Sequence, residues 1–362
     1  MGIIEHLRQG VGEVIIIICM KRNLLSLAVA IVAIASAQAQ VPANAIAGKF
    51  SVAADKQVYF SKGNLQYTQS TRTWVFAEHQ TDIIGEANLI IAAESENTLA
   101  DKIDLFGWST NNPMTPFGVS ISTVRDYYRG DFVDWGTNII SGDAANTWRT
   151  LAANEWEYLF LTRTNADKLF ALAIVDGTNG LILLPDGWTT PDGVTFTPST
   201  DKGMVLWMES NGHKLYGDST TKTNHYTDNV YTAAEWQKME TTGAVFLPVA
   251  GHRQGTSPNR LEAGEYWSAT PVTTGDYAGE MAGYCEFAHY EDLGAVLDPN
   301  YTGWSFCSWG RSVRLVKDYF GVNTGIVNPS ATNTEVRKII RNGQVLIKRG
   351  GKTYTLMGVE VE

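Results

Sequence analysis

Alternating apolar and polar positions predict short strands over 49–52, 57–61, 65–67 and 74–76, with a turn at Lys62-Gly63-Asn64. The segment 82–104 is polar and irregular. A Gly- and Asn-rich stretch follows to about 146, with one short helix expected near 122–128. Then a weak internal echo appears. "LAANEW" (151–156) is followed by "GLILLP" (180–185), and "YTAAEW" (231–236) by "GAVFLP" (243–248). Each copy reads as a helix start with Glu-Trp in its first turn, then a buried strand ending at Pro. Thr232 and Glu235 form a capping box in the second copy; Ala152 stands at the Thr position of the first, so that cap is absent. Two copies fall short of a repeat protein and imply two similar helix–strand elements in one domain.

The segment 255–309 shows no clear period. It scatters Tyr, Trp and His among Gly, Asp and Thr, and reads as long loops around one or two strands. "SWGRSVRLV" (308–316) reads as a closing strand, with Val313 and Leu315 in the core and Ser312 and Arg314 alternating with them. Past an Asn-Pro-Ser linker, runs at 336–340, 345–348 and 353–357 are separated by Asn342-Gly343 and Gly350-Gly351, the pattern of a small β meander. The whole is an α+β, loop-rich chain with short strands and few helices.

Composition narrows the function classes. The 362 residues are 44% hydrophobic and carry 11 Trp and 34 Gly, enough for a sizeable core. A net charge of −10 argues against a nucleic-acid partner, which would need a basic face, although the segment from Glu335 onward is itself net +3. Met20-Lys21-Arg22, the apolar stretch 24–35 and Ala37-Gln38-Ala39 form the pattern of a secretory signal peptide. The apolar stretch is shorter than the roughly 20 residues of a membrane span, so the mature chain is expected to have no transmembrane helix. The expected organisation is 1–19 as upstream sequence or an extended n-region, 20–39 as signal peptide, 40–324 as the main domain and 325–362 as a β tail. The product is exported, whether secreted, on the outer surface or in the periplasm. Export permits a disulfide between Cys285 and Cys307, with two separate buried thiols as the alternative.

No catalytic cluster stands out. His79, His213, His225, His252 and His289 show no metal-ligand spacing, and phosphate-loop, dinucleotide and nucleophile-elbow motifs are absent. No metal site and no cofactor is implied. Asp298-Pro299-Asn300 could set two oxygens on a calcium ion, but turns favour the same residues and a turn is the better account. Glu155 and Glu235 read as helix-capping carboxylates beside Trp156 and Trp236, and these four with Trp267, Val313 and Leu315 are assigned to the scaffold. The remaining signal is aromatic. Tyr277, Tyr284, Glu286, His289, Tyr290, Tyr301, Phe306 and Ser308 are the candidate ligand contacts, because exposed Tyr with small polar neighbours gives contact area at low entropic cost. Tyr284 and Glu286 share a strand face, opposite Cys285 and Phe287.

"TWRTLAANEWEYLF" (147–160), "GLILLPDGW" (180–188), "AVFLPVAGHRQG" (244–255), "EYWSAT" (265–270) and "GRSVRLV" (310–316) occur in this order. Together they resemble exported Bacteroidetes proteins with a C-type-lectin-like fold of the formylglycine-generating-enzyme (sulfatase-modifying factor) type. The resemblance spans about 49–318. It implies a lectin-like domain and three alternative functions. The oxidase branch holds copper on closely spaced cysteines, whereas Cys285 and Cys307 lie far apart in this chain. The calcium-dependent sugar-binding branch pairs its Pro loop with a W-N-D motif that is missing here. The third branch, variable target proteins of diversity-generating retroelements, frames a ligand surface between motifs like "YWSAT" and "SVRLV", which here bracket 271–309. The resemblance therefore implies a non-catalytic binder of a protein or carbohydrate ligand, with a surface either diversified or fixed. The tail, "TYTLMGVEV" above all, resembles short C-terminal segments of which some serve as type IX secretion signals; a small structural β element is the alternative.

Overall fold

The alternation at the start of the domain folds as a hairpin. Strands β1 (Phe50–Ala53) and β2 (Lys56–Phe60) pair antiparallel, and β18 (Val316–Tyr319) adds to the free edge of β2. This three-stranded sheet ties the beginning of the unit Ala39–Phe320 to its end. A computed structural model provides these coordinates. It describes residues 41–85, 88, 102–110, 130–254, 257–259, 263–303 and 305–319, and the strands 336–341, 344–349, 352–355 and 360–361. The expected signal peptide, its upstream segment and the helix near 122–128 lie outside the described residues.

Strand β3 (Leu65–Thr68) follows as expected and pairs with β4 (Thr73–Phe76) and with β5 (Lys102–Ile103). The echo is visible in three dimensions. Its helices are α1 (Ala153–Glu157), continued by a π-helical turn Tyr158–Thr162, and α2 (Ala233–Thr241). Its strands are β7 (Thr178–Leu183) and β11 (Val245–Pro248), which pair directly, Leu181 opposite Leu247. They complete a sheet with β6 (Phe170–Val175) and β10 (Val230–Tyr231) in the order β10-β6-β7-β11. Thr232 Oγ1 accepts from the Glu235 N–H while Glu235 accepts from the Thr232 N–H; at α1 only the second half survives, Glu155 accepting from the Ala152 N–H.

Two expectations change. The segment read as loops holds three long strands: β14 (Ala263–Pro271), β15 (Ala282–Tyr290) and β16 (Gly294–Tyr301). They are buried along most of their length on both faces, so the polar alternation that marks a half-exposed strand is missing. With β9 (Lys214–Asp218) and β8 (Val205–Met208) they form a five-stranded antiparallel sheet, β14-β15-β16-β9-β8. The closing strand is split as well. A small sheet of β13 (Ser257–Asn259), β12 (His252–Gln254) and β17 (Gly310–Arg311) takes its first half, and β18 its second. Between them Val313 and Leu315 are buried, and their carbonyls accept from Leu65 and Ser61. Ser312 and Arg314 are buried too: Arg314 donates to Gln80 Oε1 at 2.6 Å.

Three buried clusters fill the unit. Trp156 stacks on Phe160 in the first, Trp267, Val313 and Leu315 lie in the second, and Trp236 in the third. The Cys285–Cys307 bridge is not formed. Both are free buried cysteines, Cys285 in the first cluster and Cys307 in the second. The C-terminal strands β19 (Val336–Arg341), β20 (Gln344–Arg349), β21 (Lys352–Thr355) and β22 (Glu360–Val361) belong to a second unit and pair in sequence as an antiparallel meander.

Glu155 does more than cap α1. Its buried carboxylate accepts from Arg149 at 2.6 and 2.9 Å and from Lys56 at 3.0 Å, and Arg149 also donates to Asp318 at 2.8 Å. Burial alone would raise the Glu155 carboxyl; the Arg149 guanidinium, with the Ala152 N–H and Lys56, outweighs it and holds it below the ordinary range. Removing Arg149 strands a buried carboxylate, so Arg149→Ala should cost about 3 kcal/mol. Lys56→Ala, at a more exposed partner, should cost under about 1 kcal/mol. Urea unfolding of both variants checks the ranking.

Candidate functional site

The five-stranded sheet has two unlike faces. Tyr216, Tyr266, Cys285, Phe287, Ala295 and Leu297 point into the first core cluster. The opposite face carries an open groove of about 570 Å³. Its lining includes Val205 and Trp207 of β8, Leu215 and Gly217 of β9, Val296 and Asp298 of β16, and Glu286 and Tyr290 of β15, with Tyr301 and Leu293 at its margins. Gly217 sits between Val205 and Val296 in the strand register, so the missing side chain lowers the floor between two apolar walls. Trp207 is 54% exposed and Leu293 66%, an unusual apolar surface for a chain with so much core.

A bulge makes the polar end possible. Tyr284 faces Tyr301 and Glu286 faces Asp298, so Pro299 and Asn300 together oppose Cys285 alone. Strict alternation would send Asp298 and Tyr301, three positions apart, to opposite faces. The extra residue resets the phase and both reach the groove. It also explains how a proline sits in a central strand. The turn expected at Asp298-Pro299-Asn300 is thus a bulge inside β16, where Asp298 Oδ1 accepts from the Asn300 N–H at 2.9 Å.

Around the bulge the polar groups are paired. His213 Nε2 bridges Asp298 Oδ1 at 2.8 Å and Oδ2 at 2.9 Å. The hydrogen bond to Asp298, with its charge and those of Glu209 and Glu157, raises the His213 ring against partial burial. Tyr290 donates to Glu286 Oε1 at 2.6 Å and Tyr284 to Oε2 at 3.2 Å. Burial, then the nearby Glu265 charge, pushes the Glu286 carboxyl up, while the two hydroxyls oppose that shift. Behind it the Arg311 guanidinium lies 4.0 Å from the Tyr284 ring centre and donates to Glu265, whose other oxygen meets His252 Nδ1 at 2.7 Å. At the other end Asp218 anchors the loop after β9. It accepts from the Thr221 N–H at 3.0 Å and from the Thr221 hydroxyl, and His225 Nε2 lies 3.0 Å away. His225 is wholly buried, with Nδ1 2.7 Å from Asp228.

Of the eight candidate contacts, Glu286, Tyr290 and Tyr301 line the groove. Tyr284 is one layer behind, buried with its hydroxyl on Glu286. Phe306 and Ser308 are buried, and Tyr277 lays its ring edge on Phe306 at 5.4 Å; these three do not contribute. His289 falls on the Cys285 and Phe287 face by alternation and does not join the groove. Trp207, Val205, Leu215 and Gly217 line the groove as well and are not among the eight. The uninterrupted apolar run 204–208, bounded by Gly203 and Glu209, was the available signal.

The cysteine thiols are ill placed for chemistry. Burial raises Cys285 well above its ordinary value and Cys307 to about 12. Among the described residues no three His, Cys, Asp or Glu side chains gather as a metal-holding group, and no helix is long and apolar enough to cross a membrane.

The two titratable clamps both hold their protons more tightly in the folded state, so both make the fold less stable as pH rises. His213 binds its proton more tightly when folded, so its contribution is complete below the ordinary value of about 6.5 and fades as pH rises through the higher folded value. His213→Ala should therefore cost about 1 kcal/mol near pH 6 and much less near pH 9. Glu286 also holds its proton more tightly when folded, and its ionisation opposes folding as pH rises from about 4.3 through the raised value. Glu286→Gln should raise the melting temperature near pH 8 and lose that advantage near pH 4, a crossover that calorimetric scans would reveal.

Comparison of the chain with protein-family models, with curated proteins and with solved structures finds no match.

Proposed function

We propose that this protein is an exported, non-catalytic ligand-binding module of lectin-like type that uses the outer face of its five-stranded sheet. The observation that carries the reading is the convergence of Glu286, Tyr290 and Tyr301 with the exposed Trp207 on one groove. An apolar floor flanked by a few polar groups is the usual design of a small recognition site. The ligand is a protein side chain or a carbohydrate. A sugar presents an apolar ring face to Trp207 and hydroxyls to Glu286 and Tyr290; an aromatic or aliphatic side chain fills the floor.

The segment 271–309 supplies one wall of the groove, and β8 and β9, outside that segment, supply the other. A surface diversified by substitution would therefore alter Glu286, Tyr290, Val296 and Tyr301 while Trp207 and Leu215 stay fixed. The copper-dependent alternative has no observation in its favour, since its two thiols sit in separate core clusters. The calcium alternative fares no better, because both Asp298 oxygens face His213.

Arrays of oligosaccharides and of surface proteins would identify a ligand for calorimetry. Trp207→Ala should then weaken binding by about 30-fold, the loss of a Trp contact worth about 2 kcal/mol. Gly217→Leu should block binding by filling the floor, with far-UV circular dichroism unchanged. Tyr158→Phe, away from the groove, should bind normally; equal loss in all three variants would sink the assignment.

A further inference from the structure

The edge of the five-stranded sheet carries a patterned set of backbone groups. Glu209 donates its N–H to the His213 carbonyl at 2.8 Å, and the β8–β9 register runs on through Trp207–Leu215 and Val205–Gly217. Bonded pairs alternate in an antiparallel ladder, so Val205 and Trp207 bond to β9 while Leu206 and Met208 aim their N–H and C=O outward. Among the described residues no strand covers that side of β8. Val205, Leu206, Trp207 and Met208 are 59, 51, 54 and 66% exposed, so the strand is apolar and open on both faces. It has none of the Lys, Pro or bulges that usually protect an edge.

We propose that β8 is a self-association edge: a second copy of this chain adds its own β8 antiparallel, joining two five-stranded sheets into one. The outward groups set the register. Leu206 of each copy faces Met208 of the other, exchanging N–H···O bonds in both directions, and the two-fold axis passes between the two Trp207 residues. These occupy a non-bonded position, where Cα atoms approach to about 4.5 Å. A shift that recruits Met204 fails, because Met204 is buried and its N–H already bonds the Ser199 carbonyl at 3.1 Å. In the chosen register Glu209 faces Val205, so no like charges meet directly across the seam. The strand alone covers less than the roughly 800 Å² per partner of a standard interface. Each chain also carries a net charge of −10. Association is therefore concentration-dependent and strengthened by salt. Because Val205 and Trp207 also line the groove, pairing sets two grooves edge to edge.

Sedimentation velocity of the full chain across concentration, at low and high salt, tests this. The expected result is a reversible dimer that tightens with salt. Leu206→Pro deletes an N–H that the chain itself does not use, which an edge strand tolerates, and should be monomeric with unchanged circular dichroism. Should that variant misfold, Trp207→Lys and Trp207→Glu replace it: each should be monomeric alone and they should pair when mixed. Under mild oxidation Trp207→Cys should form an inter-chain disulfide, since its Cα spacing suits one, whereas Val205→Cys should not. A monomer at every concentration, a dimer indifferent to Leu206→Pro, or cross-linking at Val205→Cys in place of Trp207→Cys would overturn the proposal. None of these readouts involves ligand, so their failure leaves the groove reading to its own test.

Discussion

The buried Arg311 guanidinium is where the elements of the main unit meet. Its backbone exchanges hydrogen bonds with Phe106 at 2.9 Å in each direction, and β17 pairs with β12 at the same residue. Its side chain lies between the rings of Trp267 and Tyr284 and reaches Glu265 on β14. A buried charge is tolerable only with a good partner. Burial works against the charge of both groups, yet their neighbours together outweigh it: Arg311 and His252 hold Glu265 below its ordinary range, and Glu265 and Tyr284 hold Arg311 above its own. The five-stranded sheet, the small β12 sheet and the aromatic second cluster are thereby fixed to one another. The groove's polar end rests on this arrangement, since Glu286 is steadied by the same Tyr284 that Arg311 covers.

How far the sequence spoke depended on burial. The β1 to β4 strands were readable because one face stays partly wet and the alternation survives. The echo was readable because capping chemistry and a terminal Pro punctuate it, and its strands β7 and β11 prove to be neighbours. Strands β14 to β16 were not, because in "AGEYWSATP" and "AGYCEFAHY" polar residues such as Glu265, Ser268 and Glu286 are buried, Glu265 on Arg311 and His252, Ser268 on the Thr270 N–H and Glu286 on Tyr284 and Tyr290. Periodicity reports exposure, and a strand enclosed on both sides has little to report. Ser312 and Arg314, which alternate with Val313 and Leu315, are buried in the same way.

The site was half legible. Glu286, Tyr290 and Tyr301 were found from residue type, with strand parity applied only to Tyr284 and Glu286; parity would have misplaced Tyr301 without the bulge at Pro299. Phe306 and Ser308 were assigned to the surface on composition, which cannot separate an aromatic loop from an aromatic core. The opposite wall could not be inferred from local pattern at all: β8 and β9 join β16 from some eighty residues earlier in the chain, and only the register of the sheet brings Trp207 across from Glu286.

Gly217 turns the size of the acceptable ligand into a trait governed by one codon. Its backbone lies outside the left-handed region, and a Cβ there would meet only ordinary contacts, 3.6 Å to the Ala295 carbonyl oxygen and 3.7 Å to Leu215. Neither strain nor collision would select for glycine at this position. A lineage carrying this fold could therefore narrow its selectivity methyl by methyl through Ala or Val, leaving the sheet, the bulge and the buried ion pairs untouched.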